Sequence, residues 1–201
     1  MQKKLVYMTK SIDFYFDFIS PYTYIGHKRI ENQGNGINFK YKPILLGGLH
    51  KLWNITPQAY IEPKKQFMIM DCEMVSKKFK IDFKFNSNFP INTIKLMRGC
   101  LIFNNEQLKK YINLIFDAYW KNNENINDEK LLAKILDKID MSINEFTIRI
   151  EEIEVKEKLK MLTNEAFKRN IFGAPTYVVN NKNFWGQDRF EYALEELNST
   201  S

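Results

Sequence analysis

The chain has 201 residues, 44% hydrophobic and 27% charged, with 30 basic against 24 acidic side chains and two cysteines, Cys72 and Cys100. An ordinary apolar fraction with 14% aromatics lets a chain of this length bury a real core, which excludes a disordered tail. Two cysteines far apart in sequence make neither a disulfide framework nor a C-x-x-C redox or zinc pair. The formal charge of +6 is spread along the chain, so it favours anionic small molecules weakly, and no nucleic-acid partner is expected.

The opening, Met1 to Lys10, is too polar for the hydrophobic segment of a signal peptide. No stretch approaches the roughly 18 apolar residues of a spanning helix. A soluble, cytoplasmic protein with no membrane partner is therefore the expectation. Next, Ile12-Asp-Phe-Tyr-Phe-Asp-Phe18 alternates Ile12, Phe14, Phe16 and Phe18 with Asp13, Tyr15 and Asp17, the pattern of a strand. Ser20-Pro21 hands over to a helix that runs from Tyr22 toward Ile30, closed by the turn signal Gly34-Asn35-Gly36. A second strand, Ile37-Asn-Phe-Lys-Tyr41, follows and ends at Pro43. Strand, helix and strand in this order predict a βαβ unit with parallel strands and a right-handed crossover.

From about Pro57 to Arg169 the pattern is almost entirely helical, with Leu108, Ile112, Ile115, Phe116 and Tyr119 returning at intervals of three and four. Val155, Leu159, Leu162 and Ala166 repeat that spacing. Ser142 with Glu145 reads as a capping box, and Asn122 to Asn127 as a loop before another helix. The chain then returns to β patterning in Thr176-Tyr-Val-Val179, turns at Asn180-Asn181, forms a short strand around Asn183-Phe-Trp185 and closes with an amphipathic helix from Phe190 to Leu197. The predicted fold class is α/β. Residues 11–50 and 170–201 would form one sheet-containing domain split by a helical insertion over residues 51–169.

Three junctions could carry chemistry. At Ser20-Pro21, Ser suits an N-cap and Pro the first helical position, a purely structural role. The same helix amino terminus presents unpaired N–H groups and partial positive charge, which favour an anion such as a ligand thiolate, and the Ser20 hydroxyl could donate to its sulfur. In Gly173-Ala174-Pro175-Thr176, Pro175 either opens an edge strand or forms a cis peptide that holds the backbone of Ala174 where a peptide-like ligand could pair. In Phe184-Trp185-Gly186-Gln187-Asp188-Arg189, Asp188 either caps the last helix or receives a ligand ammonium, with Arg189 nearby for a carboxylate. His27 and His50 have no partner at metal spacing and read as surface or satisfied residues, and no metal site is expected. Cys72 and Cys100 sit among Met and Leu and read as small buried hydrophobes.

The order βαβ, helices, ββα, with a junction written S-P-Y and a late G-x-P-T, resembles the thioredoxin-like group of DsbA and the kappa-class glutathione transferases. Within it the chain looks most like a 2-hydroxychromene-2-carboxylate isomerase. The matching pieces are Asp13-Phe-Tyr-Phe-Asp-Phe-Ile-Ser-Pro-Tyr-Thr-Tyr24, Lys42-Pro-Ile-Leu-Leu-Gly-Gly48, Asn54 with Pro57, Pro63-Lys64-Lys65, Phe172-Gly-Ala-Pro175 and Phe184-Trp-Gly-Gln-Asp-Arg189. Disulfide oxidoreductases of this group carry C-P-x-C at the junction. Here it is Ser20-Pro21-Tyr22-Thr23, which has no sulfur for dithiol chemistry. The family usually has Ser where this chain has Thr23, a small polar exchange with no expected effect.

The resemblance implies glutathione as cofactor and a small aromatic or conjugated carboxylate as substrate. Glutathione would supply a thiolate that adds reversibly to the substrate, so that the former double bond can rotate. It also implies a homodimer. Carried over position by position, Ser20 would be the catalytic residue that hydrogen-bonds the thiolate, with Pro21 and Tyr22 beside it. Ala174 before a cis Pro175 would pair with the cysteinyl part, and Asp188 and Arg189 would hold the γ-glutamyl end. Asn54 and Lys65 would face the remaining cofactor and substrate groups. A kappa-class transferase or peroxidase needs the same thiolate, and a non-catalytic binding protein could keep the same fold.

Overall fold

The computed structural model describes residues 11–34 and 36–199. The amino-terminal segment read as too polar for a signal peptide and Asn35 of the predicted turn lie outside the described residues. Four strands, β1 (Ser11–Phe16), β2 (Asn38–Pro43), β3 (Thr176–Val179) and β4 (Lys182–Trp185), form one sheet in the order β2-β1-β3-β4. β1 and β2 run parallel in register Ser11↔Asn38, as the βαβ reading requires, and β3 lies antiparallel to β1 with Phe14 opposite Tyr177. Asn180 and Asn181 take φ of 49° and 62°, the paired left-handed turn that joins β3 to β4.

Helix α1 (Pro21–Asn32) is the crossover, and α2 (Leu46–Trp53) and α3 (Glu62–Lys78) follow β2. The helical block continues with α4 (Ile94–Gly99), α5 (Asn105–Phe116), α6 (Glu129–Asp137), α7 (Ile143–Ile150) and α8 (Ile153–Lys168), and α9 (Phe190–Ser199) ends the fold. Ser142 accepts the amide of Glu145 at 3.1 Å, the serine half of the expected capping box.

The expected first strand reached Phe18, but it stops at Phe16. Asp17 instead turns the chain, its carbonyl accepting the amide of Ser20 at 3.2 Å and its side chain that of Ile19 at 3.1 Å. The expected near-continuous helical stretch is interrupted over residues 79–93. There Lys84 donates its amide to Trp120, Asn86 reaches the carbonyls of Tyr119 and Glu124, and Phe83, Phe85 and Phe89 pack on Trp120. The backbone groups and aromatic side chains of that segment find partners across the fold, and an extended path serves them better than a helix.

Both faces of the sheet are covered. On one, Phe14, Phe16 and Phe18 continue without a break into Tyr111, Phe116 and Trp120 of the helical block, and the Phe18 and Phe116 rings lie 4.8 Å apart, edge to face. On the other, Tyr15 and Val178 pack against Leu49 and Ala166, from α2 and α8. Trp53 of α2 donates to the carbonyl of Ile171 at 2.8 Å and packs its ring, tilted by 52°, against that of Phe167 of α8. This ties α2 and α8 to the loop that leads into β3. Among the described residues no helix is long and apolar enough to cross a membrane.

Candidate functional site

Ser20 caps α1, accepting the amide of Thr23 at 3.1 Å, with Pro21 at the first helical position. Its hydroxyl proton goes elsewhere: Oγ donates to the carbonyl of Ala174, 2.9 Å away and 154 positions along the chain. The Ala174–Pro175 peptide is cis. Thr176 and Gly186 secure the loop around it, Thr176 donating to Gly173 at 2.8 Å and Gly186 to the Pro175 carbonyl at 2.9 Å. Glycine at 173 leaves room for the indole of Trp185, which a Cβ there would push aside. The capping role and the placement of Ser20 beside the cis-proline loop therefore belong to one geometry.

These groups lie in a cleft of about 1230 Å³ lined by Ser20, Pro21, Tyr22, Ala174, Pro175, Asp188 and Arg189. Seven of the nine residues picked from sequence thus meet on one surface. Asp188 and Arg189 sit in a 3₁₀ turn, Gln187–Arg189, that starts from Gly186 at φ 109°, and their side chains pair at 3.4 Å. Asp188 is therefore not at the N-cap position of α9. Buried Arg29 anchors that turn: it donates to the carbonyl and side chain of Gln187, pairs with Glu191 and lies between the rings of Phe79 and Phe190. Tyr22 faces α3, and burial, then Cys72 and Asp71 beside it, hold its phenolic proton more tightly than usual.

Two of the nine do not line the cleft. Asn54 is exposed and closes α2 in the left-handed conformation, φ 54° and ψ 38°, a backbone role suited to Asn. Lys64, rather than Lys65, is on the wall; one step along a helix turns a side chain by about 100°. With Met68, Asp71, Val75 and Lys78 it forms the α3 face of the cleft.

Sequence reasoning missed two cleft residues. His50 on α2, expected at the surface or internally satisfied, is half-buried in the wall, and desolvation pushes its pKa down. Asp17, which alternation places on a strand, is a buried carboxylate that accepts from Ile19, Leu46 and Thr93. Its unusual burial has a weak signal in sequence, an acid in an otherwise aromatic run. His27 behaves as expected, buried between the Tyr41 hydroxyl at 2.6 Å and Asn113 at 2.5 Å. Cys72 and Cys100 are free and buried, and burial pushes both thiols up, away from reactivity. Among the described residues no cluster of three or more His, Cys, Asp or Glu is arranged to hold a metal.

The profile of the DsbA-like thioredoxin domain matches residues 11–198. The 2-hydroxychromene-2-carboxylate isomerase of Pseudomonas putida is 26% identical over 183 residues, covering 89% of each chain. Glutathione S-transferase kappa 1 of Rattus norvegicus is 24% identical over 198 residues, covering 90% of this chain and 87% of its own. The solved structure of a 2-hydroxychromene-2-carboxylate isomerase superposes with a TM-score of 0.86 at 24% identity, covering 94% of this chain and 95% of that one. The chain belongs to the DsbA-like thioredoxin-domain family.

Proposed function

We propose that the protein binds glutathione in this cleft and uses it to isomerise a conjugated carboxylate of the 2-hydroxychromene-2-carboxylate type. The observation that carries the reading is the meeting of Ser20 with the Ala174 carbonyl. There a hydroxyl donor, the amino terminus of α1 and the backbone before a cis proline converge. Such a point suits a cysteinyl ligand, because the helix terminus favours thiolate over thiol and the backbone can pair with a peptide. Glutathione would supply the nucleophilic thiolate whose reversible addition frees the substrate's double bond to rotate. Ser20 would orient and stabilise that charge by hydrogen bonding. Asp188 would take the ligand ammonium and Arg189 a carboxylate.

The size of the cleft supports a second ligand. Its α3 face runs from Lys64 to Lys78, about 21 Å at 1.5 Å per residue, whereas an extended tripeptide spans at most about 11 Å. Beyond Met68 the wall is apolar at Ile55, Pro57 and Tyr60, with Lys64 as a positive charge. His50, its pKa lowered by burial, is an uncharged donor at neutral pH. An apolar wall with a few polar groups suits an aromatic carboxylate.

Calorimetry with glutathione tests the foundation: binding at or below millimolar ligand is expected, and its absence from folded protein would end this reading. The match to a kappa-class transferase at nearly the same identity favours one alternative, glutathione transfer to an electrophile with a leaving group. Turnover of a chromene carboxylate, compared with halogenated aromatics and hydroperoxides, separates the two.

A further inference from the structure

The turn that delivers Ser20 to the head of α1 is tied to the other walls of the cleft through Asp17, which is 1% exposed and lines the cleft. One carboxylate oxygen accepts from the amide of Ile19 at 3.1 Å and from the hydroxyl of Thr93 at 2.7 Å. The other accepts from the amide of Leu46 at 2.8 Å, and the Asp17 carbonyl accepts from Ser20 at 3.2 Å. The four partners belong to three walls. Ile19 and Ser20 form the turn before α1, and Thr93 is the residue preceding α4. Leu46 opens α2, whose own cap residue, Leu45, makes no side-chain capping bond. A buried carboxylate is costly unless its oxygens are satisfied, and here three donors from three elements meet that need. Desolvation raises its pKa against the pull of those bonds.

We propose that Asp17 is a positioning residue for the reaction, acting through Ser20: its carboxylate locks the turn that carries the Ser20 hydroxyl to the start of α2 and to Thr93. The inference rests on the thiolate role of Ser20 proposed above. Asparagine has the same shape but presents N–H groups where one carboxylate oxygen accepted, so Asp17→Asn must lose at least one clamp. Thr93→Val removes one clamp from the opposite side and leaves the carboxylate in place.

Displacement of a catalytic group by a fraction of an ångström to an ångström costs on the order of tenfold to a hundredfold in rate. Asp17→Asn is therefore expected to lower kcat by that factor with the KM for glutathione changed less than about threefold. In a Ser20→Ala background the same substitution should cost less than about threefold more, because residues that act through one another are not additive. Equal losses in the two backgrounds, or full activity of Asp17→Asn, would overturn the proposal.

A second measurement needs no ligand. Ser20 Oγ holds the Thr23 amide, so hydrogen exchange at Thr23 should quicken by about tenfold in Asp17→Asn, and less in Thr93→Val, relative to amides of β3. Unchanged exchange at Thr23 overturns the positioning role whatever the protein binds. If Asp17→Asn does not fold, Thr93→Val carries both measurements. Wild-type protein that neither binds nor uses glutathione removes the functional reading alone, and the exchange result then decides on Asp17.

Discussion

Ser20 has one hydroxyl proton, and it goes to the carbonyl oxygen of Ala174. A thiolate beside Ser20 would compete for that proton, and a hydroxyl turned toward sulfur leaves the carbonyl open to an N–H of the ligand backbone. The two bonds exchange together. Ser20→Ala removes the sulfur's donor but keeps the carbonyl available, so affinity and rate should separate. Turnover is expected to fall roughly ten- to a thousandfold, while the Kd for glutathione shifts by less than about threefold. Loss of the Thr23 cap should lower stability by about 1 kcal/mol. Calorimetry, steady-state kinetics and urea unfolding of one variant measure all three, and full activity would leave Ser20 a cap alone. The residues legible in sequence, Ser20, Ala174, Pro175, Asp188 and Arg189, all sit where an element begins or ends, because turn and cap chemistry writes itself in residue type. Lys65 and Asn54 lie off the cleft wall for different reasons: which of Lys64 and Lys65 faces the cleft depends on how α3 is rotated about its axis, which two adjacent lysines leave open, whereas Asn54 ends α2 as its left-handed cap. Asp17 was missed because alternation in β1 implies a solvent face, and this sheet has none at that end.

Elements were legible where local pattern and tertiary contact agree. The four strands and the crossover helix fall close to their expected places, since alternation, Pro21 and the Asn180-Asn181 turn each act locally. Residues 79–93 did not, because their path is set by partners far along the chain, chiefly Trp120. The same distinction gives α2 its importance for the site. Its amino terminus is held by Asp17, and its last residue, Trp53, is hydrogen-bonded to Ile171, just before the cis-proline loop. Phenylalanine at 53 would keep much of the ring contact with Phe167 but leave the Ile171 carbonyl without its indole donor. Trp53→Phe should therefore destabilise the fold by about 1–2 kcal/mol in urea unfolding. It should also raise the KM for glutathione more than it lowers kcat, because the loop presenting Ala174 loosens while Ser20 stays in place. A change confined to kcat would show that α2 does not steady that loop.

At the scale of the molecule, one face of the sheet and the helical block share a continuous core, and His27 is a titratable group set against it. It lies on α1, bonded to Tyr41 of β2 on one side and Asn113 of α5 on the other, with its ring stacked on Phe116. Burial pushes its pKa down from 6.5 to about 4; Glu31, 3.6 Å away, and the bond to Asn113 pull the other way, and Lys28 adds to the depression. The folded chain therefore refuses a proton that the unfolded chain accepts once pH drops below 6.5. Stability contributed by neutral His27 is complete above that pH and declines as pH falls toward about 4, by a total on the order of 3 kcal/mol. Glu31 acts in the same direction only further into acid, since its pKa is lowered from 4.5 and its contribution is lost as pH falls below that value. Between pH 6.5 and 5 the carboxylate of Glu31 is therefore silent, and His50, whose pKa burial also lowers, is the same in the parent and in a variant at 27, so comparing the two isolates His27. Glutamine at 27 can still exchange hydrogen bonds with Tyr41 and Asn113 but cannot titrate. His27→Gln is expected to be less stable than the parent at pH 7, having lost the stacked ring, yet to show a flatter decline between pH 7 and 5. Urea midpoints of both proteins across that range measure the difference in slope. Parallel curves would mean that His27 accepts its proton without disturbing the junction of sheet and helices, and that the acid sensitivity of the fold originates elsewhere.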